Sequence, residues 1–315
     1  MSTNNIANET TELSKLINLI CSQNALQKKR ISKYINEKAD TQFWSFAESL
    51  SSTLNNGLIS DDQQRQKAAL AYNKMCKDFL SEQIKFKRTG KYSCMDAVVA
   101  SEHVYDDPEV MRYYMVGLLL SYIFWPNHYQ LFRFFQDHFP EKTPANYLEV
   151  GVGHGLFTST MINQYPNIKA NIVDISATSI KTAKEVLQSF GIDSNKISFV
   201  HNDYLKVDIN QKFDFIIMGE VLEHVNDARL FMKKTKELLA PGGRIYLSTA
   251  ANSPALDHVF HFHNVKEMRD MMTCEGLRIV KDLALPSDNI PEADWEKELV
   301  TINYCAILEH AHENR

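Results

Sequence analysis

Short apolar runs alternate with amphipathic stretches from residue 143 onward, and this alternation restricts the fold class more than any other feature. The runs predict seven strands, at 147–150, 171–174, 197–200, 213–218, 244–249, 277–285 and 300–308. Helices are predicted between most of them, with Gly191 and Gly276 as stop signals. Strands that alternate with helices form a mostly parallel sheet covered by helices on both faces. We therefore predict an α/β fold, in which ligands bind at the carboxyl ends of the strands.

The part of the chain before residue 143 has a helical pattern and no convincing strand. Apolar residues recur at helical spacing in 13–20 and 43–50, and Asp107-Pro108 is a helix start signal. The apolar run 113–125 is too short for a membrane span, which needs ~20 residues. The sequence therefore predicts a helical N-terminal domain at 1–142, acting as a lid or a dimerisation surface, and an α/β domain at 143–315.

The composition of the chain restricts which partners it is expected to bind and in which cellular compartment it is expected to occur. The chain has 34 Lys and Arg against 39 Asp and Glu, so its net charge is −5. A mildly negative net charge does not favour binding to DNA or to an anionic membrane. The five cysteines form no CxxC pair, and the polar N-terminus has no apolar signal stretch. We expect a cytoplasmic protein with reduced thiols, no DNA or membrane partner, and a homodimer contact as an open alternative.

A glycine-rich segment, Glu149-Val-Gly-Val-Gly-His-Gly155, follows the first predicted strand directly. Glycine lets the backbone turn tightly and approach a ligand closely. The segment is not the dinucleotide fingerprint, because position 156 is leucine, and it lacks the Gly-Lys-[Ser/Thr] of a phosphate-binding loop. Taken alone, it is equally compatible with a tight turn that binds nothing.

Three further polar features follow predicted strands in order. Asp174 ends the second strand, where a carboxylate can accept hydrogen bonds from two ribose hydroxyls. Asn202-Asp203-Tyr204 follows the third strand and suits an adenine amino group, and Gly219-Glu220 follows the fourth. Each feature alone is compatible with an ordinary loop. Their occurrence together at one sheet edge predicts a binding site for a nucleoside-containing ligand.

In combination, these stretches resemble the class I S-adenosylmethionine-dependent methyltransferases. The resemblance covers about 147–308 and rests on LEVGVGHG, NIVDIS, NDY, FDFIIMGEVLEHV and LLAPGGRIYLST. It implies a Rossmann-like seven-stranded sheet whose last strand is antiparallel. It also implies S-adenosylmethionine as the cofactor, bound by Glu149, Gly151, Gly153, Gly155, Asp174, Ile175, Asp203, Tyr204 and Gly219.

The segment Glu220-Val-Leu-Glu223-His224, here called the Glu-Glu-His turn, is a second candidate site. At spacings of three and four its polar residues share one face of a helical turn, and two carboxylates with an imidazole suit a divalent metal. The histidine-rich segment 257–263 brings a further imidazole to the same sheet edge, from His258 or His261. The alternative is that the turn binds no metal and that His224 has only a structural role, in capping or packing.

The Glu-Glu-His turn resembles those of small-RNA 2′-O-methyltransferases and ubiquinone-pathway O-methyltransferases. That resemblance implies a divalent metal, of open identity, on Glu220, Glu223, His224 and either His258 or His261. Without a metal, His224 or one of the histidines of segment 257–263 is the predicted general base, and Glu220 is a second catalytic group.

The sequence, with this resemblance, therefore predicts S-adenosylmethionine-dependent methyl transfer to an oxygen atom of a small-molecule acceptor in a biosynthetic pathway. Two alternatives stay open. One is a methyltransferase that acts on RNA or on an intermediate bound to a carrier protein. The other is an inert protein that binds S-adenosylmethionine.

Overall fold

The computed structural model describes residues 11–311 and shows a helical segment followed by a mixed sheet. The first ten residues, for which the sequence predicts no targeting segment, and residues 312–315 lie outside the described part. Helices α1 to α7 span Glu12–Gln23, Ala25–Lys38, Thr41–Leu54, Asp62–Thr89, Ala97–Ala100, Pro108–Phe124 and Pro126–Asp137. Between residues 11 and 145 no strand is present, which confirms the predicted helical character of this segment.

Local capping explains where two of the long helices begin. The Asp107 carboxylate accepts hydrogen bonds from two backbone amides in the first turn of α6, and Pro108 occupies that turn. Asp61 caps α4 in the same way. The apolar run 113–125 lies largely in α6 and is mostly buried. Among residues 11–311, no helix combines the length and the apolar character that crossing a membrane requires.

The sheet contains seven strands in the order β3-β2-β1-β4-β5-β7-β6. Strands β1 to β7 span Asn146–Val150, Lys169–Asp174, Ser198–His201, Phe213–Gly219, Leu239–Ala251, Leu277–Pro286 and Ile302–His310. Helices α8 to α11 span Leu156–Gln164, Ala177–Ser189, Ala228–Leu238 and Val265–Thr273. The pairs are parallel except where β7 meets β5 and β6. The predicted fold class, with its antiparallel last strand, is confirmed.

The fifth strand begins earlier than the sequence predicts. Leu239 already pairs with Phe213, so the Pro-Gly-Gly segment 241–243 lies inside β5 rather than in a loop before it. The register shifts between Phe213 and Phe215, which accommodates this irregular start. The preceding helix correspondingly ends at Leu238, directly before the strand.

Alternating residues of the central strands belong to two hydrophobic clusters, one on each face of the sheet. Phe215 and Ile217 belong to the first cluster, whereas Ile216 and Met218 belong to the second. The first cluster also contains most apolar residues of α1 to α7. In particular, Phe135 of α7 packs on Tyr246 of β5, with ring centroids 4.9 Å apart. The helical segment therefore packs against one face of the sheet, and a domain boundary at 142 stays a prediction.

Candidate donor and acceptor site

A cavity of about 1700 Å³ lies at the carboxyl edge of the sheet. Its floor includes the glycine-rich segment, Asp174, Asp203 and Gly219. The helical segment supplies aromatic side chains to the other walls, among them Tyr72, Phe79, Tyr105, Tyr114, Tyr122 and Trp125. The segments after β4 and β5 supply polar side chains, among them Glu220, His224, Asp257 and His258. The two halves of the chain thus enclose a shared space.

The glycine-rich segment turns through three left-handed residues. Gly151, Gly153 and Gly155 have φ angles of 74°, 50° and 81°. A side chain on Gly153 would meet only the Met115 sulfur, at 3.7 Å, so this backbone is open to the cavity. A side chain on Gly155 would lie 2.8 Å from the Cα atom of Ala183. Gly153 thus permits close approach of a ligand, and Gly155 permits close approach of α9.

Exchange of Gly155 for alanine is expected to destabilise the fold by about 2 kcal/mol more than Gly191→Ala. Both positions have positive φ, but an added Cβ at Gly191 meets nothing within 4 Å. The pair therefore separates backbone strain from the clash with α9. Urea denaturation of both variants measures the difference, and equal losses would contradict the close approach.

Asp174 ends β2 beside the glycine-rich segment and is buried. Its Oδ1 accepts a hydrogen bond from the Ser176 amide at 2.7 Å, and its Oδ2 accepts one from the Gly153 amide at 3.3 Å. Burial raises the pKa of Asp174 to about 6, while these amide hydrogen bonds oppose the rise. The carboxylate is therefore ionised at neutral pH and borders the cavity.

The residues on the predicted adenine side of the site differ in the contacts that their side chains already make. Asp203 borders the cavity, although its Oδ1 accepts the Leu205 amide and its Oδ2 lies 3.2 Å from the Lys206 ammonium. Ile175 is half exposed at the rim. Tyr204 also borders the cavity, but its hydroxyl is hydrogen-bonded to a threonine of α10 at 3.1 Å. The Tyr204 side chain therefore serves packing against α10.

Glu149 lies on β1 beneath the glycine-rich segment and is 1% exposed. Its Oε2 accepts a hydrogen bond from the Thr158 hydroxyl. Burial nevertheless raises the pKa of Glu149 to about 8, with the Asp174 charge as a smaller cause. The folded chain thus keeps a buried acid with a raised pKa next to the glycine-rich segment, and such perturbed groups are frequent at functional sites.

Glu149→Gln is expected to stabilise the ligand-free protein at pH 7.5 by about 2–3 kcal/mol. Above pH 4.5 the unfolded chain ionises at this residue, whereas the folded chain stays protonated until about pH 8. The wild type therefore loses stability as pH rises through this window, and glutamine does not. Urea denaturation at pH 4.5 and pH 7.5 checks this, with the exposed Glu292→Gln as control. Equal stability of wild type and Glu149→Gln at pH 7.5 would contradict it.

The Glu-Glu-His turn is not the helical turn that the spacing predicts. Glu220 adopts a left-handed φ of 52°, and its amide donates to the Ser248 carbonyl at 2.9 Å. Only Leu222–His224 forms a short 3₁₀ turn. The prediction of one shared helical face is therefore wrong, because Glu220 still pairs with β5 and the chain reverses just after it.

The structure nevertheless brings three of the predicted metal ligands together. One ligand atom from each of Glu223, His224 and His258 lies within 4.8 Å of the others, and this group is called the Glu-His-His cluster here. The segments meet because the Glu223 carbonyl accepts hydrogen bonds from the backbone amides of Val259 and Phe260, at 2.8 and 2.9 Å. His258 thus joins the cluster from the loop after β5.

Two carboxylate oxygens at this site have no hydrogen-bond partner among the described residues: Oε1 of Glu220 and Oε1 of Glu223. The other Glu223 oxygen accepts from the Thr249 hydroxyl at 2.7 Å. Burial, and then the nearby Glu223, raise the pKa of Glu220 well above its usual range. Buried, unpartnered carboxylate oxygens are what a cation would satisfy.

Asp257 and Tyr105 complete the site, and the sequence analysis assigned neither. The Asp257 carboxylate lies 3.2 Å from Nδ1 of His224 and accepts a hydrogen bond from the Tyr114 hydroxyl at 3.0 Å. The Tyr105 hydroxyl lies 3.0 Å from the same Nδ1. Although burial lowers it, the Asp257 charge raises the pKa of His224 to about 9. These contacts fix the orientation of the His224 ring.

His261 lies outside the Glu-His-His cluster. Its Nε2 is 2.8 Å from the Asn252 side-chain oxygen, and its ring packs 4.6 Å from that of Tyr92. Burial, and then His263, lower the pKa of His261 to about 4. The structure thus places His258, and not His261, beside the Glu-Glu-His turn.

Comparison with known proteins identifies the family to which this chain belongs. The sequence model described as "Methyltransferase domain" matches residues 124–281, half of the chain. The chain belongs to the class I S-adenosylmethionine-dependent methyltransferases. The match begins in the last residues of α6 and includes α7, upstream of the boundary that the sequence predicts.

Two curated relatives and one solved structure illustrate the likeness. Malonyl-[acyl-carrier protein] O-methyltransferase 1 of Ilyobacter polytropus is 32% identical over 35% of this chain and 40% of its own length. Norajmaline N-methyltransferase of Rauvolfia serpentina is 28% identical over 50% of this chain and 56% of its own. The N-methyltransferase NodS of Bradyrhizobium japonicum, solved with S-adenosyl-L-homocysteine, is 20% identical over 59% of this chain and 86% of its own, with a TM-score of 0.44.

The matched segments leave much of each relative uncovered. The chain spans about half the length, or less, of the curated relatives described above. The acceptors of those relatives also differ, one name giving an O-methyltransferase and the other an N-methyltransferase. The family is therefore established from the methyltransferase region, and the acceptor has to be argued from the site.

Proposed function

We propose that this chain transfers the methyl group of S-adenosylmethionine to an oxygen atom of a small-molecule acceptor. The observation that carries the proposal is the continuity of the cavity from the glycine-rich segment and Asp174 to His224 and His258. Its volume of about 1700 Å³ exceeds the ~300–1,000 Å³ of a typical ligand site. It has room for a donor and a small acceptor side by side.

The donor half of the cavity is assigned to the residues around the glycine-rich segment. The backbone of Gly151 and Gly153 borders the cavity, and together with the ionised Asp174 it suits the amino-acid and ribose parts of the donor, whereas Gly155 shapes the turn. Ile175, Asp203, Tyr204 and Gly219 border this half, with Asp203 on the adenine side. Glu149 does not border the cavity and lies buried on β1 beneath the glycine-rich segment. Gly153 supports the assignment, since its backbone is open to the cavity.

The acceptor half is assigned to the Glu-His-His cluster with Glu220. A sulfonium donor needs no activation, so the protein has to orient the acceptor and accept its proton. Imidazole and carboxylate groups do this for a hydroxyl group, whose ordinary pKa lies far above neutral pH. This requirement favours an oxygen acceptor over an amine that is already nucleophilic.

A divalent metal fits the groups in this half. Glu220, Glu223, His224 and His258 would hold it, because two of their oxygens are unpartnered in the described chain. Nδ1 of His224 faces Asp257, and Nδ1 of His258 lies 2.6 Å from the Ser253 carbonyl, which leaves Nε2 of each ring for coordination. When bound, such an ion lowers the pKa of an acceptor hydroxyl and orients it. Without it, His224 would be the general base above its pKa of about 9, where its ring is neutral.

We place the reaction in the cytoplasm as a small-molecule step, and we retain a homodimer as a prediction. The five cysteines are all unpaired, which suits a reducing compartment. The aromatic walls supplied by the helical segment favour a small acceptor over RNA. An intermediate bound to a carrier protein is the second candidate, since one relative is named for such a substrate.

Methyl-labelled S-adenosylmethionine tests the proposal directly. The full chain is incubated with the labelled donor and a library of hydroxylated, amine and carrier-bound acceptors, and the products are analysed by mass spectrometry. We expect label on the oxygen of a free hydroxylated compound. Label on nitrogen, on the carrier-bound compound alone, or on none of them while the donor binds, would contradict the proposed function.

A further inference from the structure

Two buried histidines outside the Glu-His-His cluster also border the cavity. His128 lies in the first turn of α7, and His154 lies in the glycine-rich segment. Their exposed fractions are only 8% and 7%. Neither takes part in the donor binding or proton removal proposed above, so their placement needs a separate reason.

The hydrogen bonds of His128 show where its proton lies. The Ser121 hydroxyl donates to the Leu118 carbonyl at 2.6 Å, so its oxygen is left to accept from Nδ1 of His128 at 2.7 Å. Burial lowers the pKa of His128 to about 4, and the ring is neutral at neutral pH. Its Nε2 therefore carries a lone pair, and no residue between 11 and 311 donates to it.

The proton of His154 lies on the opposite nitrogen. The Leu156 amide donates to Nδ1 of His154 at 3.2 Å, which caps the start of α8 where Gly155 offers no side chain. Burial, and then His128, lower the pKa of His154 to about 3, so this ring is neutral as well. Its Nε2 therefore carries the hydrogen and is a donor, for which the described residues provide no acceptor.

The two rings flank one aromatic side chain. The Tyr122 ring centroid lies 5.3 Å from that of His128 and 5.2 Å from that of His154. The Trp125 ring lies 4.8 Å from His128. This corner of the cavity thus offers flat apolar surfaces with one hydrogen-bond acceptor and one donor, and neither imidazole carries a charge.

We propose that His128 and His154 form a subsite that anchors the acceptor through an uncharged hydroxyl group on a planar aromatic skeleton. A hydroxyl group both donates and accepts, which matches the two nitrogens. A carboxylate or phosphate has no proton for His128 and finds no positive charge on either ring. The subsite rests on the proposed function and would set which acceptors bind, while the Glu-His-His cluster acts on the oxygen that is methylated.

Two variants of His128 separate the nitrogens of its ring. In His128→Asn the amide replaces Nδ1 and can keep the contact with Ser121, but nothing replaces Nε2. In His128→Gln the amide reaches the place of Nε2 and supplies an oxygen acceptor there. If His128 only stabilises the fold through Ser121, asparagine should replace it better than glutamine. If His128 forms the proposed subsite, glutamine should replace it better than asparagine.

Two probes that differ by one hydroxyl group, 4-hydroxyacetophenone and acetophenone, test the subsite. Each is titrated by ligand-observed NMR into the full chain saturated with S-adenosylhomocysteine, with benzoate, which has a carboxylate and no hydroxyl group, as the charged comparison. We expect the wild type to prefer 4-hydroxyacetophenone over acetophenone by about tenfold, and to bind benzoate more weakly than 4-hydroxyacetophenone. His128→Asn should lose this preference and His128→Gln should retain part of it.

The outcomes distinguish the subsite from the proposed function. Calorimetry of S-adenosylhomocysteine binding is run on the wild type and both variants. If all three bind it, and the wild type shows no hydroxyl preference or His128→Asn keeps it in full, the subsite is wrong. Binding of benzoate that is tighter than that of 4-hydroxyacetophenone also overturns it. If the wild type fails to bind S-adenosylhomocysteine, the proposed function itself is overturned.

Discussion

Glu223→Gln is expected to reduce methyl transfer by at least about a hundredfold while donor binding stays unchanged. Glu223 is fully buried and its Oε1 is unpartnered within the described chain, so the carboxylate is poised for a cation. Glutamine has the same shape and can still accept the hydrogen bond from Thr249. The variant therefore removes the charge and the ligand oxygen without opening a cavity.

The effect is measured in two ways. Calorimetric titration with Mn²⁺ compares metal affinity without any acceptor, and labelled methyl transfer compares initial rates before and after dialysis against EDTA. Glu267→Gln is the matched control, because Glu267 is an exposed carboxylate on α11. Unchanged Mn²⁺ binding and full activity after chelation would contradict the metal assignment and leave His224 as the general base.

Asp174→Asn is expected to weaken S-adenosylhomocysteine binding by about 10- to 100-fold at pH 7.5. Asparagine can still accept the Ser176 amide at Oδ1, so the turn after β2 is kept, but the charged acceptor for the ribose hydroxyls is lost. Because the pKa of Asp174 is about 6, wild-type affinity should also fall as pH decreases through 6. The affinity of the variant should show no such decrease.

Calorimetry from pH 5 to pH 8 measures both effects in one series. The comparison is internal, since the wild type at low pH and the variant at any pH both lack the carboxylate charge. Equal affinity of the two proteins at pH 7.5 would show that Asp174 does not bind the ribose. A wild-type affinity independent of pH would place the titrating group elsewhere.

The sheet, and the placement of the glycine-rich segment and Asp174 at one edge of it, were predictable because their signals are local. Gly151 to Gly155 and Asp174 lie at or just after strand ends, and the order of parallel strands brings such positions to one edge. The start of β5 was missed because Pro-Gly-Gly is typical of a loop, whereas its pairing with β4 depends on a neighbouring strand. Pairing between distant segments leaves no trace in local composition.

The arrangement of residues around the Glu-Glu-His turn was predictable only in part. The sequence could not choose between His258 and His261, since the choice depends on amides of 259 and 260 reaching the Glu223 carbonyl. The left-handed Glu220 was missed because residue spacing assumes a helix that the chain does not form. Tyr105 lies 119 positions from its partner His224, and no sequence pattern spans that separation.

A crystal structure of the full chain with S-adenosylhomocysteine tests the central claim most directly. The account predicts that the ligand lies against Gly151–Gly155, with its ribose hydroxyl groups hydrogen-bonded to the Asp174 carboxylate and its sulfur facing the part of the cavity that contains His224 and His258. A ligand bound elsewhere, or one whose sulfur points away from the Glu-His-His cluster, would contradict the division of the cavity into donor and acceptor halves.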